Sequence, residues 1–409
     1  MVILTVADVT ASKIIGGAER VLYEQTTRLS HRGHDVFILT RKLPDHRKNN
    51  EDINGVNEWR YPYSKKNPLA FLCSTWIYSK RIFESLNQQY HFDCINFHQP
   101  FSAFGVVRSD LSLSIPKIYT CHSLSFEEFI SRNGTPKHLF SKAATFIQSH
   151  GRKTIEKDVL KRSDEIVVLS KFTADKISST YKIPREKIKV IPGGVDINQF
   201  TPAIDKKQIR EQLNIPTNKI ILLTVRNLVQ RMGLENLIIA FNHLIKQNSE
   251  IHLVIGGEGK LKPGLIALAR SFGIEDHIHF AGFIPEDQLP AYYQMADLFV
   301  LPTKELEGFG LVTLEAMACG LPVLGTPVGG TTEILCNFDS GFLFEETDPQ
   351  SMAELILKKY HVIKNNPQKW NEISRRCRKF VEDNYSWEKN IDALEALFAE
   401  AVKNHHALS

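Results

Sequence analysis

The chain has 409 residues, 43% of them hydrophobic and 23% charged, with a formal net charge of +4. That length exceeds what one compact core fills and suits two lobes of roughly 200 residues each. Ordinary glycine, proline and aromatic contents exclude collagen-like, low-complexity and disordered classes. The six cysteines are scattered with no C-x-x-C pair, so reduced, buried thiols are expected rather than a metal site or a disulfide framework. No apolar run reaches the roughly 18 residues of a membrane span. MVILTVADVT enters a strand without the basic flank and cleavage site of a secretory signal. A cytoplasmic protein is therefore expected.

In chain order, short apolar runs alternate with helical patterns. VILTV is followed by a helix from Ala18, and DVFILT, DCINF, KIYTC, EIVVL and KIKVI come next. Strands joined by crossover helices predict a parallel, doubly wound sheet. At GGVDINQFTPAIDKKQIREQLNIPTN the rhythm breaks, and this polar stretch reads as an interdomain connection. A second series follows: KIILLTV, IHLVIG, HIHFAG, LFVLP, LPVLGT and GFLF. Two such lobes predict a ligand cleft at the carboxyl ends of their strands. No strand follows the helix expected from about Trp387, so it is expected to return to the first lobe.

Charge is uneven. From Arg60 to Arg162 fifteen Lys and Arg face seven Asp and Glu. Such a patch suits anionic lipid headgroups or a lipid-pyrophosphate acceptor, at about 1 kcal/mol per basic residue near an anionic surface. A merely solvated basic face reads equally well.

The segment LPTKELEGFGLVTLEAMACGLPVLGTPVGGTTEIL carries the most chemistry. Glu307 precedes a glycine-rich loop, Gly308 to Gly310, that opens a helix near Leu311, and Glu315 lies about one turn inside. Free amides at a helix start, reached closely through glycine, suit phosphate or sugar oxygens. Glu307 can accept from sugar hydroxyls and Glu315 from a ribose diol. Gly16 and Gly17 make a second strand, glycine turn and helix start, although a tight turn needs glycine anyway. His122 and His98 each end a first-lobe strand. His98 fits an acceptor-side role and a packing role equally, and Glu127 and Glu128 follow His122 in the same loop. Ser170 reads as a helix cap.

Glu307, Gly308, Phe309, Gly310, Leu311, Val312, Leu314, Glu315 and Ala316 resemble the E-x7-E signature of glycosyltransferase family 4, and the resemblance covers nearly the whole chain. It implies the GT-B fold: an α/β chain with two Rossmann-like, doubly wound parallel-sheet domains facing a central cleft, and a C-terminal helix crossing back. The implied division is an acceptor-binding domain at 1–198, joined by the helix at about 387–409, and a nucleotide-sugar donor domain at 199–386. Glu307 is implied to contact the donor sugar; the amides of Phe309, Gly310 and Leu311, with Val312 and Thr313 nearby, would meet sugar or phosphate; Glu315 would hold the ribose. Gly16 and Gly17 would approach the phosphates, His122 the transferred sugar, and Gly257 and Phe283 the base. Gly193 stands where the family's linker entry usually carries Asn.

One departure matters. Asn227 and Met232 occupy positions where the family frequently carries Arg and Lys, leaving Arg226 and Arg231 as the nearest substitutes. A leaving diphosphate gains negative charge and needs a fixed cation or a metal. The chain contains no D-x-D, so arginines and helix starts are expected to serve without a metal or other cofactor. The resulting expectation is a retaining transferase moving a hexose, glucose first, from a UDP-sugar to a saccharide or lipid-linked acceptor in bacterial polysaccharide or glycoconjugate synthesis. No nucleic-acid partner is expected, and peripheral contact with the inner membrane face would go through the basic first domain. An epimerase on the same scaffold and a non-catalytic nucleotide-sugar-binding subunit are the competing readings.

Overall fold

The computed structural model describes residues 1–133 and 139–408. The chain forms two compact units, Met1–Gly193 with Trp387–Ser409, and Gly194–Ser386.

Unit 1 is built on eight strands: β1 Val2–Val6, β2 Asp35–Arg41, β3 Asn50–Ile53, β4 Val56–Tyr61, β5 Cys94–Phe97, β6 Lys117–Cys121, β7 Glu165–Val168 and β8 Ile188–Val190. Their order is β3-β4-β2-β1-β5-β6-β7-β8, parallel throughout except where β3 runs against β4. Successive side chains of a strand face opposite sides, and the core divides accordingly. Leu4, Val6, Phe37, Ile95, Phe97, Tyr119 and Ile166 pack on one face with Phe83 and Leu160. Ile3, Ile38, Cys94, Ile118 and Val167 pack on the other with Leu22 and Leu29. The second face is completed by Ile391, Leu394 and Phe398 of helix Trp387–Leu408. Gln25 donates to Asn390 at 3.1 Å in the same layer.

Unit 2 carries β9 Ile220–Val225, β10 Ile251–Gly256, β11 Ile278–Gly282, β12 Leu298–Leu301 and β13 Val323–Gly325, all parallel, in the order β11-β10-β9-β12-β13. β10, flanked by β11 and β9, is buried along its whole length, as a strand covered on both faces must be.

Three expectations change. GFLF is not a strand: Ser340–Phe342 is a 3₁₀ turn, and Leu343 makes one isolated bridge to Gly325. The β3–β4 hairpin was not anticipated, because NEDI has no apolar face, yet Asn54-Gly55 between the strands, both at positive φ, is a strong two-residue hairpin signal. The stretch read as a connection is an integral part of unit 2. Phe200 is buried there, and the Arg210 guanidinium donates to the Met295 and Lys219 carbonyls and to Asp297. Arg210 and Lys206 are bonded inward, while Asp205, Lys207, Gln208, Glu211 and Gln212 are exposed and give the stretch its polar look. Among the described residues no helix is long and apolar enough to cross a membrane.

Candidate active site

In unit 2 the functional side chains gather at the carboxyl ends of the strands, the edge where open parallel sheets bind ligands. Arg226, buried directly after β9, donates through Nη2 to Glu307 Oε2 at 2.5 Å and Thr303 Oγ1 at 3.0 Å. The same nitrogen meets the Met232 sulfur at 2.7 Å. Met232, at the position where the family favours Lys, thus packs on the arginine instead of supplying a second charge. Thr303 donates to the same Glu307 oxygen at 3.3 Å. Arg231 Nη1 donates to the Leu306 carbonyl at 2.8 Å, and its own carbonyl accepts from the Lys304 and Glu305 amides. Both arginines therefore brace the loop that presents Glu307.

Close backbone approach fixes two glycines. Gly257 has φ +125° and Gly329 φ +66°; a Cβ on the first would overlap the Arg226 carbonyl and on the second the Glu307 carbonyl. Gly257 thereby helps to set Arg226, and Gly329 sets Glu307. Helix Leu311–Ala318 starts after Gly310, with the Phe309 ring buried 6.1 Å from Tyr385 and Leu311 and Val312 half-buried. Around Gly310 and the start of helix Gly330–Phe338, the hydroxyls of Thr313, Thr331 and Thr332 are buried with no hydrogen-bond partner among the described residues. Buried hydroxyls are rarely left so, and here they flank the amides of helix starts, which attract anions. Glu315 accepts from the Tyr293 hydroxyl at 2.8 Å. Burial, then the carboxylate, holds that phenol well above its ordinary range. Phe283, just beyond β11, is 60% exposed.

Unit 1 places Gly16 and Gly17 at the start of helix Gly17–His31, with no side-chain cap. The Glu19 carboxyl lies over this start; burial raises its pKa, offset in part by the backbone amides of Glu19 and Gly16. His98 follows β5 and His122 follows β6, and the two rings are bonded, His98 Nδ1 to His122 Nε2 at 3.1 Å. Burial lowers His122 to about 4; burial and then the neighbouring His122 take His98 well below the usual imidazole value. Glu127 is held by Lys176 at 2.5 Å and Glu128 by Arg132 at 3.4 Å. Among the described residues no group of three His, Cys, Asp or Glu is placed to hold a metal ion.

Comparison with known proteins accounts for both units. The profile described as Glycosyltransferase Family 4 matches residues 15–199, and that described as Glycosyl transferases group 1 matches residues 205–380. The chain belongs to glycosyltransferase family 4. This glycosyltransferase is 25% identical over 363 residues to mannosylfructose-phosphate synthase of Agrobacterium fabrum, covering 84% of this chain and 78% of that one. Its fold matches sucrose-phosphate synthase of Thermosynechococcus elongatus with a TM-score of 0.80 at 21% identity, over 98% of this chain and 99% of the other. It also matches Anabaena HepE, solved in complex with UDP-glucose, with a TM-score of 0.75 at 18% identity, over 98% and 100% of the two chains. The glycosyltransferase is thus a GT-B protein with two Rossmann-like parallel-sheet domains.

The structure gathers Arg226, Arg231 and Glu307 around one loop, and Gly310 with Thr313 at the next helix start. Reading the sequence missed Thr303, Tyr293, Gly329, Thr331 and Thr332. The signal for the last three was V-G-G-T-T-E, a glycine pair opening a helix just as Gly16–Gly17 does.

Proposed function

We propose that this glycosyltransferase is a retaining, metal-independent hexosyltransferase that uses a UDP-sugar, UDP-glucose first, and serves an acceptor bearing negative charge, a saccharide phosphate or a lipid-linked saccharide. The observation that carries the donor half is the arrangement around Gly310: a buried Arg226–Glu307 pair beside three unpartnered threonine hydroxyls and helix-start amides. These groups suit a sugar diphosphate, whose leaving charge arginine and amides would stabilise. Glu307 is engaged by Arg226 and Thr303, which suits sugar binding better than covalent attack. In the step proposed, the bond from the anomeric carbon to the diphosphate oxygen breaks as the acceptor oxygen bonds to the same face. The acceptor's proton passes to the departing diphosphate.

The acceptor half rests on Arg152. Its guanidinium lies 4.4 Å from the Phe129 ring centre and 4.8 Å from that of Phe101, and among the described residues it makes no hydrogen bond or ion pair. Arg41, at the end of β2, stacks 5.3 Å from Phe71 and donates to the Asp8 carbonyl. Stacked guanidinium groups with spare donors suit phosphate. The names of the Agrobacterium and Thermosynechococcus proteins, both sugar-phosphate synthases, agree. Helix Pro68–Tyr90 exposes Leu69, Trp76 and Ile77 beside Lys65, Lys66 and Arg81. That face suits an anionic membrane carrying a lipid-linked acceptor, on the cytoplasmic side.

Thermal shifts with UDP-, GDP- and ADP-glucose test the donor: UDP-glucose should raise the Tm most, and equal shifts would refute the base assignment. Glu307→Ala should abolish UDP release from UDP-glucose with the fold intact. Fructose 6-phosphate should stabilise the wild type more than fructose does, and Arg152→Gln should remove the difference; an unchanged difference would refute the anionic-acceptor reading. Sedimentation with phosphatidylglycerol vesicles at low salt tests the membrane face, which recovery wholly in the supernatant would refute.

A further inference from the structure

Four polar side chains, two on neighbouring strands of unit 1 and two directly after those strands, form a continuous hydrogen-bond chain. Thr120 Oγ1 donates to Asn96 Oδ1 at 2.8 Å. Asn96 Nδ2 lies 3.0 Å from His98 Nε2, and His98 Nδ1 lies 3.1 Å from His122 Nε2. Thr120, Asn96 and His98 are almost wholly buried. The parallel pairing of β5 with β6, Asn96 beside Ile118, brings these residues together from segments more than twenty positions apart.

Such a chain has a direction. An amide nitrogen only donates, so His98 Nε2 must accept, which leaves the proton of neutral His98 on Nδ1. That proton is donated to His122 Nε2, and neutral His122 then carries its own proton on Nδ1. Among the described residues His122 Nδ1 is buried without a partner, and buried donors are rarely left so.

We infer that Thr120, Asn96 and His98 are positioning residues that fix His122 as a neutral hydrogen-bond donor through Nδ1, offered to a substrate hydroxyl oxygen at the carboxyl edge of β6. His122 on this account is no general base, because one nitrogen is occupied by His98 and the other holds the proton. The low imidazole pKa values that burial imposes agree with a neutral pair. The substrate hydroxyl rests on the glycosyl-transfer reading, whereas the tautomers do not.

The test separates the two. The full-length protein, labelled with ¹⁵N-histidine, is examined at pH 7.5 by long-range ¹H–¹⁵N correlation, with His122→Asn assigning the peaks. His98 and His122 should both appear as neutral Nδ1–H tautomers. An Nε2–H tautomer at His122, or rapid averaging of the two, overturns the inference whatever the enzyme's substrate. Asn96→Asp replaces the donating amide by a group that only accepts, so His98 must turn its proton to Nε2 and His122 with it. The expected result is an Nε2–H tautomer at His122 and a fall of tenfold or more in kcat for UDP release from UDP-glucose, both read below the variant's own thermal transition, which the buried carboxylate lowers. Reversed tautomers with an unchanged kcat overturn the donor role. Thr120→Val, which only frees the amide to flip, should give mixed tautomers and a smaller loss in kcat; mixed tautomers with full rate overturn it as well.

Discussion

Replacing Arg226 by methionine leaves the Glu307 carboxylate, only 13% exposed, without its 2.5 Å partner. The aliphatic stem is kept, so the loss is chiefly electrostatic. Breaking a buried pair by removing one member costs about 3–5 kcal/mol, because the remaining charge is stranded. In a unit of this size each kcal/mol shifts the Tm by about 2–4 °C, so the thermal transition of the full chain should fall by roughly 6–20 °C. Adding Glu307→Gln removes the stranded charge, and Thr303 still donates to the amide oxygen, so most of the lost stability should return. Activity should not. UDP release from UDP-glucose is expected to stay abolished in the double variant, since the cation that would face the diphosphate is gone. Differential scanning calorimetry and a coupled UDP assay read the two effects separately. A fall of less than about 2 °C for Arg226→Met, or turnover regained in the double variant, would refute the reasoning.

Gly329→Ala should lose on the order of 3 kcal/mol or more in urea unfolding, since strain at positive φ is joined by overlap with the Glu307 carbonyl. Gly33→Ala, at φ +88° with open space around it, should lose only about 1–2 kcal/mol; equal losses would show that packing at Gly329 is unimportant. Glu156, fully buried, is raised to about 7 by burial, against the bonds from the Tyr181 hydroxyl and the Ser125 amide. Its unfolded value is about 4.5, so between about pH 4.5 and 7 the unfolded chain gives up a proton that the folded chain keeps. Stability from this group therefore falls as pH rises through that window. Glu156→Gln should gain on wild type by up to roughly 3 kcal/mol between pH 5 and 8. Urea unfolding of both proteins at the two pH values checks it, and a constant difference would contradict the assignment.

Much of the architecture was legible because strands buried on both faces are short apolar runs, and IHLVIG or KIYTC offers no other reading. The loop that presents Glu307 was legible for a related reason: Glu307, the glycines and Glu315 are local in sequence, so their spacing survives folding. What was not legible depends on register and crossover. His98 and His122 become partners only because β5 and β6 pair side by side, and nothing local to either strand announces the neighbour. The hairpin Asn50–Tyr61 was hidden by its polarity, since its edge strand has little to bury. Met232 looked like a gap in the pattern; the structure shows its sulfur against the Arg226 guanidinium.

The return of helix Trp387–Leu408 to unit 1 sets the order of events during synthesis. One face of the first sheet, with Leu22, Leu29 and Ile118, lacks part of its cover until Ile391, Leu394 and Phe398 have been made. Between them lie the roughly 200 residues of unit 2, which a ribosome adds in roughly 10–40 s. Unit 2, an uninterrupted segment, can therefore complete its core while unit 1 still waits with an open apolar face. Chaperones that shield nascent chains would meet this protein at its first unit, and a nonsense mutation anywhere before Trp387 would leave that face open permanently.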